Sequence, residues 1–296
     1  MHTIILPYHF DREVVEHQRV LRHVASMGCD GIDFRFLLVA SHERCISDEL
    51  HGAAAAIAPT QSFHCPTLAV GYPEGASGMF WDAMQWVDQN RSDGFALWME
   101  SDMCPIVPDW LHRLDADWRL CQGSLIMGCL VPAVHAVRRK KSFYRRAKYL
   151  RVPQHINGGA CYRHDFISHM PAECRGGAFD VEIARYLNPR GGYADTPAIR
   201  LATTFEVTSG QLSPETAVVH GFLQNRDEFL GACINSKDAN RMGSVELPSR
   251  PTRVSRESAR HLHLRLARQN MAQRPRLVSV YLPPEERVRS GRQNAA

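Results

Sequence analysis

The chain has 296 residues, of which 44% are hydrophobic, and its formal net charge is +4. This composition suits a large globular core. The sequence contains no run of 18 apolar residues, which a membrane-spanning helix would need. The N-terminal stretch lacks the basic residues of a signal peptide, so we interpret it as a first core strand. The nine cysteines are scattered without a C-x-x-C pair. We therefore expect free thiols and a cytoplasmic protein, rather than disulfides or structural zinc.

The positive charge is concentrated towards the C-terminus. Residues 247–296 contain eleven arginines and three glutamates, a net charge of +8, which leaves −4 for residues 1–246. We expect a folded domain over residues 1–246 and an arginine-rich extension, partly helical or disordered, over residues 247–296. Basic extensions suit anionic partners such as phosphates, lipid surfaces or nucleic acid, and the alternative is a solvated segment without a partner.

Strand-like and helix-like segments alternate over the first hundred residues. Asp11 is a candidate helix cap, Gly28 a helix end and Ser47 a second cap. This alternation predicts a doubly wound α/β sheet flanked by helices, which binds ligands at the carboxyl ends of its strands. The predicted order is strand 3–10, helix 12–28, strand 33–41, helix 46–58, strand 62–70, a glycine-rich loop with a helix over 71–90, and strand 94–100. Less regular segments follow, with strands 124–134 and 156–163 and helix 179–188.

Two acids one residue apart, Glu100 and Asp102, follow the fourth strand, which is apolar on both faces. That strand suits the middle of a sheet, so the acids fall where a site is expected. Mg²⁺ and Mn²⁺ prefer oxygen ligands and are often held by one or two carboxylates together with substrate phosphates. The alternative is a turn and a helix cap, since Asp favours the N-cap position.

An apolar strand, acid-x-acid and a short helix resemble the D-x-D motif of the GT-A glycosyltransferases, written here Glu100-Ser101-Asp102. The segment Asn157-Gly158-Gly159 resembles the N-G-G segment that many of these enzymes place beside the acceptor and donor sugar. Its glycines could also serve only a tight turn.

Two later positions extend the resemblance to about residues 3–230. Asp180 matches an acid at the start of a helix near the acceptor, although Phe179 replaces the acid that often precedes it. His220 ends a late strand where some GT-A families supply a third metal ligand. Asp180 as a helix cap and His220 as an ordinary core histidine are the alternatives.

The resemblance implies a glycosyltransferase that uses a nucleoside-diphosphate sugar and a divalent cation, Mn²⁺ or Mg²⁺. It implies metal binding by Glu100, Asp102 and His220, and an acceptor such as a glycan or a lipid-linked sugar. Asp180 would deprotonate the acceptor hydroxyl in an inverting enzyme. The expected donor-binding residues are Pro7, Tyr8, His9, Glu43, Gly75, Glu100, Ser101, Asp102, Asn157, Gly158 and Gly159.

A basic run over Arg138–Arg151 contains eight cations, three aromatic residues and no acid. We expect Lys140, Lys141 and Arg145 to contact the leaving diphosphate or an anionic acceptor. The same run could hold the protein peripherally at the inner face of a membrane, or could be a solvated surface.

Two other functions fit parts of the sequence. A nucleic-acid-binding α/β protein would use the basic run 138–151 and the extension, but that leaves Glu100, Asp102 and Asp180 unexplained, so nucleic acid ranks low as a partner. A sugar-nucleotide nucleotidyltransferase shares a similar sheet and metal-binding acids. It usually carries a glycine-rich basic signature after the first strand, which the sequence lacks there.

Overall fold

The computed structural model describes residues 1–29, 31–71, 73–121, 123–132, 134–137, 149–221 and 225–235. These ranges include the acid-x-acid motif, the N-G-G segment, Asp180 and His220. The predicted loop residues Lys140, Lys141 and Arg145 lie outside the described residues, as does the arginine-rich extension over 247–296.

Twelve strands and seven α-helices form the described part of the chain. The strands are β1 His2–Tyr8, β2 Phe34–Ala40, β3 Thr60–His64, β4 Phe95–Trp98, β5 Met103–Pro105, β6 Ile126–Val131, β7 Val134–Val137, β8 Tyr149–Val152, β9 His155–Arg163, β10 Tyr193–Asp195, β11 Ile199–Ala202 and β12 Val218–Gly221. The helices are α1 Asp11–Met27, α2 Asp48–Ala55, α3 Glu74–Gln89, α4 Trp110–Leu120, α5 Phe179–Leu187, α6 Thr204–Thr208 and α7 Arg226–Asn235.

The main sheet has seven strands in the order β10-β6-β9-β4-β1-β2-β3. Strand β1 pairs in parallel with β2 and β4, and β2 pairs in parallel with β3. Strand β9 is antiparallel to both of its neighbours, β4 and β6. The predicted α/β class is therefore confirmed, and the sheet is mixed because β9 runs against the others. A second sheet has the order β11-β12-β5, and β7 pairs with β8.

Both faces of the main sheet are covered, because the central strands bury successive side chains on opposite sides. Ile4 and Leu6 belong to one hydrophobic core, and Ile5 between them belongs to the other. In the second core Phe80 of α3 stacks on Phe179 of α5, with 4.0 Å between ring centroids. This packing sets the start of α5 against the sheet.

The helix boundaries depend on local hydrogen bonds. Helix α1 begins at Asp11 rather than being capped by it, because the Glu13 carboxylate accepts the backbone N–H groups of His9 and Phe10 at 2.6 and 3.3 Å. Gly28 comes after the helix with a φ of 78°, a conformation that glycine adopts readily. Ser47 caps α2, as predicted, and accepts the Leu50 N–H.

Two predicted strands end earlier in the structure, and a proline follows within two residues of each end. Strand β3 ends at His64, two residues before Pro66, so residues 65–70 are not strand. The strand predicted over 124–134 is divided at Pro132 into β6 and β7. Proline has no N–H to donate to a strand neighbour, which explains both outcomes.

None of the nine cysteines, all of which lie in the described ranges, forms a disulfide. None of the helices within the described ranges has the length and apolar character needed to span a bilayer.

His164, directly after β9, provides a test of pH-dependent stability. It is 3% exposed, its Nδ1 accepts the Ser92 N–H at 2.8 Å, and burial lowers its pKa to about 4. An unfolded histidine has a pKa near 6.5, so this contribution is complete above pH 6.5 and is lost as the pH falls towards 4. The loss is about 3 kcal/mol at most.

We predict that His164→Asn will lose less stability than the wild type between pH 7 and pH 4.5. The asparagine oxygen can accept the Ser92 N–H but takes up no proton in this range. Urea unfolding at several pH values measures the difference. Because burial also lowers the pKa of His2 to about 4, only part of the dependence should disappear. An unchanged slope would contradict this account of His164.

Candidate active site

The two acids lie where the chain leaves the main sheet. Glu100 comes just after the buried strand β4, and the Met103 N–H donates to the Glu100 carbonyl at 2.9 Å, which closes a tight turn. Strand β5 then joins the second sheet. Glu100 and Asp102 therefore lie at the carboxyl end of a central strand, in the turn between two sheets.

Strand β12 brings His220 to this turn. It is antiparallel to β5, with His220 opposite Met103, and the Gly221 N–H donates to the Asp102 carbonyl at 3.0 Å. The His220 Nε2 lies 3.1 Å from Asp102 Oδ1 and 3.3 Å from Glu100 Oε2. The side chains of His220, Asp102 and Glu100 are 6%, 12% and 33% exposed, so the group opens to solvent on the Glu100 side.

Charge pairing outweighs burial at this group. Burial works to raise the pKa of Asp102, but pairing with His220 and the charge of Arg226 hold that pKa below its usual value. Burial works to lower the pKa of His220, but pairing with Asp102 and Glu100 raises it to about 10. The two acids therefore favour a positive charge on the His220 ring between them.

Glu100, Asp102 and His220 also lie close enough together to hold a metal ion. One ligand atom from each lies within 4.8 Å of the others. Asp102 Oδ1 is buried without a hydrogen-bond partner among the described residues, since the short contact with His220 lacks hydrogen-bond alignment. Two carboxylates and an imidazole suit Mn²⁺ and related divalent cations. The Asn157 side-chain amide nitrogen lies 2.5 Å from His220 Nδ1, and this contact fixes the orientation of the ring.

The two glycines after Asn157 lie inside strand β9, not in a turn. A Cβ on Gly158 would lie 2.7 Å from Glu100 Oε1 and 2.9 Å from the Phe179 ring. A Cβ on Gly159 would overlap Met103 and lie 2.9 Å from His220 Nδ1. Both positions therefore lack a side chain because the acid and the histidine pack directly against the strand.

Asp180 lies in the first turn of α5, near this group. Its Oδ1 accepts the Val181 N–H at 2.9 Å, and its Oδ2 lies 3.7 Å from His155 Nε2. Burial raises the pKa of Asp180; the charge of His155 works against this, and that of Glu100 adds to it. Phe179 is 7% exposed and stacked on Phe80. The position where the GT-A resemblance would place a second acid is therefore part of the core.

The ends of the first two strands are only partly available to a ligand. The Pro7 carbonyl accepts a hydrogen bond from the His17 ring at 2.8 Å, and the Tyr8 phenol is buried, where it accepts the Ser47 N–H. His9 differs, because neither of its buried ring nitrogens has a hydrogen-bond partner among the described residues. Glu43 is exposed just after β2.

Two further predicted donor residues make internal contacts. The Gly75 N–H donates to the Gly71 carbonyl at 2.7 Å, and a Cβ at Gly75 would lie 2.8 Å from the Val70 backbone. This glycine therefore serves packing at the start of α3. The Ser101 hydroxyl turns away from the acids and donates to Glu16 at 2.6 Å.

Glu16, Arg226 and His155 belong to the site or its surroundings but were not predicted from the sequence. Glu16 had a usable signal, because it lies one helical turn before Val20 on the buried face of α1, where an acid requires a partner. Arg226 and His155 had none, since their partners are distant in sequence.

Solved glycosyltransferases have a similar fold. The WbbM bifunctional glycosyltransferase is 9% identical, with a TM-score of 0.50 over 82% of this chain and 51% of that one, so the present chain spans about half its length. The galactosyltransferase LgtC, in complex with donor and acceptor sugar analogues, is 10% identical, with a TM-score of 0.45 over 84% and 98% of the two chains. Glucosyl-3-phosphoglycerate synthase from Mycobacterium tuberculosis, with Mn²⁺, UDP and phosphoglyceric acid, is 13% identical, with a TM-score of 0.39 over 66% and 67%.

No protein-family model matches the sequence, and no curated protein sequence matches it. At the identities given, the similarity to WbbM establishes the fold and not the reaction. The fold is that of a GT-A glycosyltransferase, which confirms the predicted fold class.

We predict that Gly159→Ala will lower stability by about 1–3 kcal/mol, because the new methyl group must displace the buried Met103 and His220 side chains. Gly52→Ala is the matched control. Gly52 lies inside helix α2 with nothing within 4 Å of an added Cβ, so this change should raise stability by up to about 1 kcal/mol. Urea unfolding of both variants measures the contrast, and equal stabilities would show that β9 tolerates a side chain beside the site.

Proposed function

We propose that the protein is a metal-dependent glycosyltransferase that moves a sugar from a nucleoside-diphosphate sugar to a hydroxyl acceptor. The observation that carries this proposal is the Glu100, Asp102 and His220 group at the carboxyl end of β4, within a GT-A fold. A divalent cation held there would neutralise the charge that develops on the departing diphosphate. Mn²⁺ suits the mixed oxygen and nitrogen ligands better than Mg²⁺, which prefers oxygen alone.

The donor would lie along the carboxyl ends of the strands beside the metal. His9 is the strongest candidate for a base or ribose contact, because its ring nitrogens have no protein partner within the described residues. Because Gly158 and Gly159 have no side chain, Glu100 and His220 could lie close to strand β9 and bind the cation there. Glu43 and Pro7, which lies near the end of β1, remain proposed contacts of the nucleotide.

Asp180 is the proposed general base. Its raised pKa, caused first by burial, brings the carboxyl closer to the pH at which a base accepts a proton efficiently. It is near enough to Glu100 for the two charges to interact. A glycan or lipid-linked sugar is the proposed acceptor, and the basic residues Lys140, Lys141 and Arg145 are proposed to meet its phosphate or the leaving diphosphate.

We predict that one nucleoside-diphosphate sugar will raise the melting temperature only when Mn²⁺ is present. A ligand at one hundred times its Kd adds about 2.7 kcal/mol, which a thermal-shift screen detects readily. Asp102→Asn should abolish the shift while the protein remains folded. The control is Asp48→Asn, the same change at an exposed acid in the first turn of α2, which should leave the shift intact.

Three results would count against the proposal. Wild-type protein that no nucleotide sugar stabilises, with or without metal, contradicts glycosyl transfer. Stabilisation and turnover of a nucleoside triphosphate with a sugar phosphate would indicate a nucleotidyltransferase. Salt-sensitive binding of oligonucleotides without any metal-dependent nucleotide binding would indicate a nucleic-acid-binding protein.

We predict that Asp180→Asn will lower kcat by roughly 10²–10⁴-fold and preserve the metal-dependent donor shift, because the amide cannot accept the acceptor proton. Release of the nucleoside diphosphate in the presence of acceptor measures this rate. Glu182→Gln, in the same helix turn but paired at the surface with Arg185, is the control and should be nearly as active as wild type. A retained rate in Asp180→Asn would remove the base role.

A further inference from the structure

Arg226, the first residue of α7, connects the site to helix α1. Its Nε lies 3.4 Å from Asp102 Oδ2. Its Nη1 lies 3.1 Å from the Ser101 hydroxyl and 3.4 Å from Glu16 Oε2. The guanidinium therefore bridges the site acid and the buried carboxylate of α1, with Ser101 between them.

Arg226 is not required to neutralise Glu16. Glu16 is 1% exposed, and a buried carboxylate needs a cationic partner. Arg12 already supplies one, because its Nε donates to Glu16 Oε1 at 2.6 Å, and the Ser101 hydroxyl donates to Oε2 at the same distance.

Nor is Arg226 required to hold α7 on α1. The neighbouring Asp227 accepts from Arg19 of α1 at 3.0 Å. In addition, Phe229, Leu230 and Cys233 are fully buried along α7. Other contacts thus contribute to both ordinary structural roles. Beyond them, the Arg226 Nη1 lies 3.6 Å from Glu13 Oε1 on α1, and its Nε makes the contact with Asp102.

That contact gives the two oxygens of the Asp102 carboxylate different surroundings. Oδ2 faces the guanidinium, while Oδ1 is buried, has no hydrogen-bond partner within the described part of the chain and faces His220. A carboxylate free to rotate would exchange these oxygens. A planar guanidinium anchored at a second point resists that rotation, because its donors have fixed directions.

We propose that Arg226 is a positioning residue, which holds Asp102 Oδ2 so that Oδ1 stays directed at the cation position between Glu100 and His220. This inference rests on the metal site of the proposed function. It assigns Arg226 no contact with the cation. Ser101 and Glu16 hold the Nη1 of the guanidinium, so Ser101, the middle residue of the acid-x-acid motif, has a structural role.

Arg226→Lys isolates this role, because lysine keeps the positive charge beside the site but cannot reach Asp102, Ser101 and Glu16 together. We expect the Kd for Mn²⁺, measured by electron paramagnetic resonance of the free ion, to rise roughly tenfold or more, as for other residues that orient metal ligands. Arg19→Lys makes the same exchange in the neighbouring α1–α7 ion pair and should change the Kd less than twofold. Urea unfolding of each variant checks that it is folded.

The outcomes separate the two proposals. Wild-type Mn²⁺ affinity in Arg226→Lys overturns the positioning role and leaves the metal site standing. Equal weakening in both lysine variants overturns it too, since helix docking would then explain the loss. A wild-type protein that binds no Mn²⁺ overturns both proposals. If Arg226→Lys is unfolded, Ser101→Ala decides, because loss of this anchor should also weaken Mn²⁺ binding, and an unchanged Kd overturns the role.

Discussion

The arrangement of the site depends on one constraint: the negative charge of two carboxylates at the end of a buried central strand must be compensated. Glu100 and Asp102 follow β4, whose apolar side chains are buried in the core, and an unpaired charge is costly there. His220 and Arg226 approach from a different sheet and a different helix to meet them. The second sheet and the start of α7 are therefore tied to the first sheet through the charge of the site itself.

Several local features depend on that pairing. Strand β9 must pass directly beneath the acids and the histidine, so glycine occupies two successive positions in it. Asn157 lies one residue before them and orients the His220 ring. The Phe179 ring packs against Gly158 on the same side as Glu100, which places Asp180 at the edge of the site. The same close packing explains why a second acid is absent before Asp180.

Much of this could be predicted because strand and helix patterns are local. The alternation of elements, the Ser47 cap and the position of Glu100 and Asp102 at a strand end were all evident from short segments. The ends of β3 and β6 were harder, although Pro66 and Pro132 marked them in the sequence. Ser101 and Gly75 were predicted as ligand contacts from their neighbours in sequence, and only the structure shows their hydrogen bonds to Glu16 and to Gly71.

By itself, the sequence determined the α/β alternation and the acids, asparagine, glycines and histidine that could form a site, since periodicity and residue chemistry are written along the chain. Only the tertiary structure decided which of them meet. His220 reaches Asp102 across 118 positions because β12 pairs with β5, and Arg226 reaches Glu16 across 210 because α7 packs on α1. Contacts between such distant positions arise from strand pairing and helix packing, which no local pattern specifies.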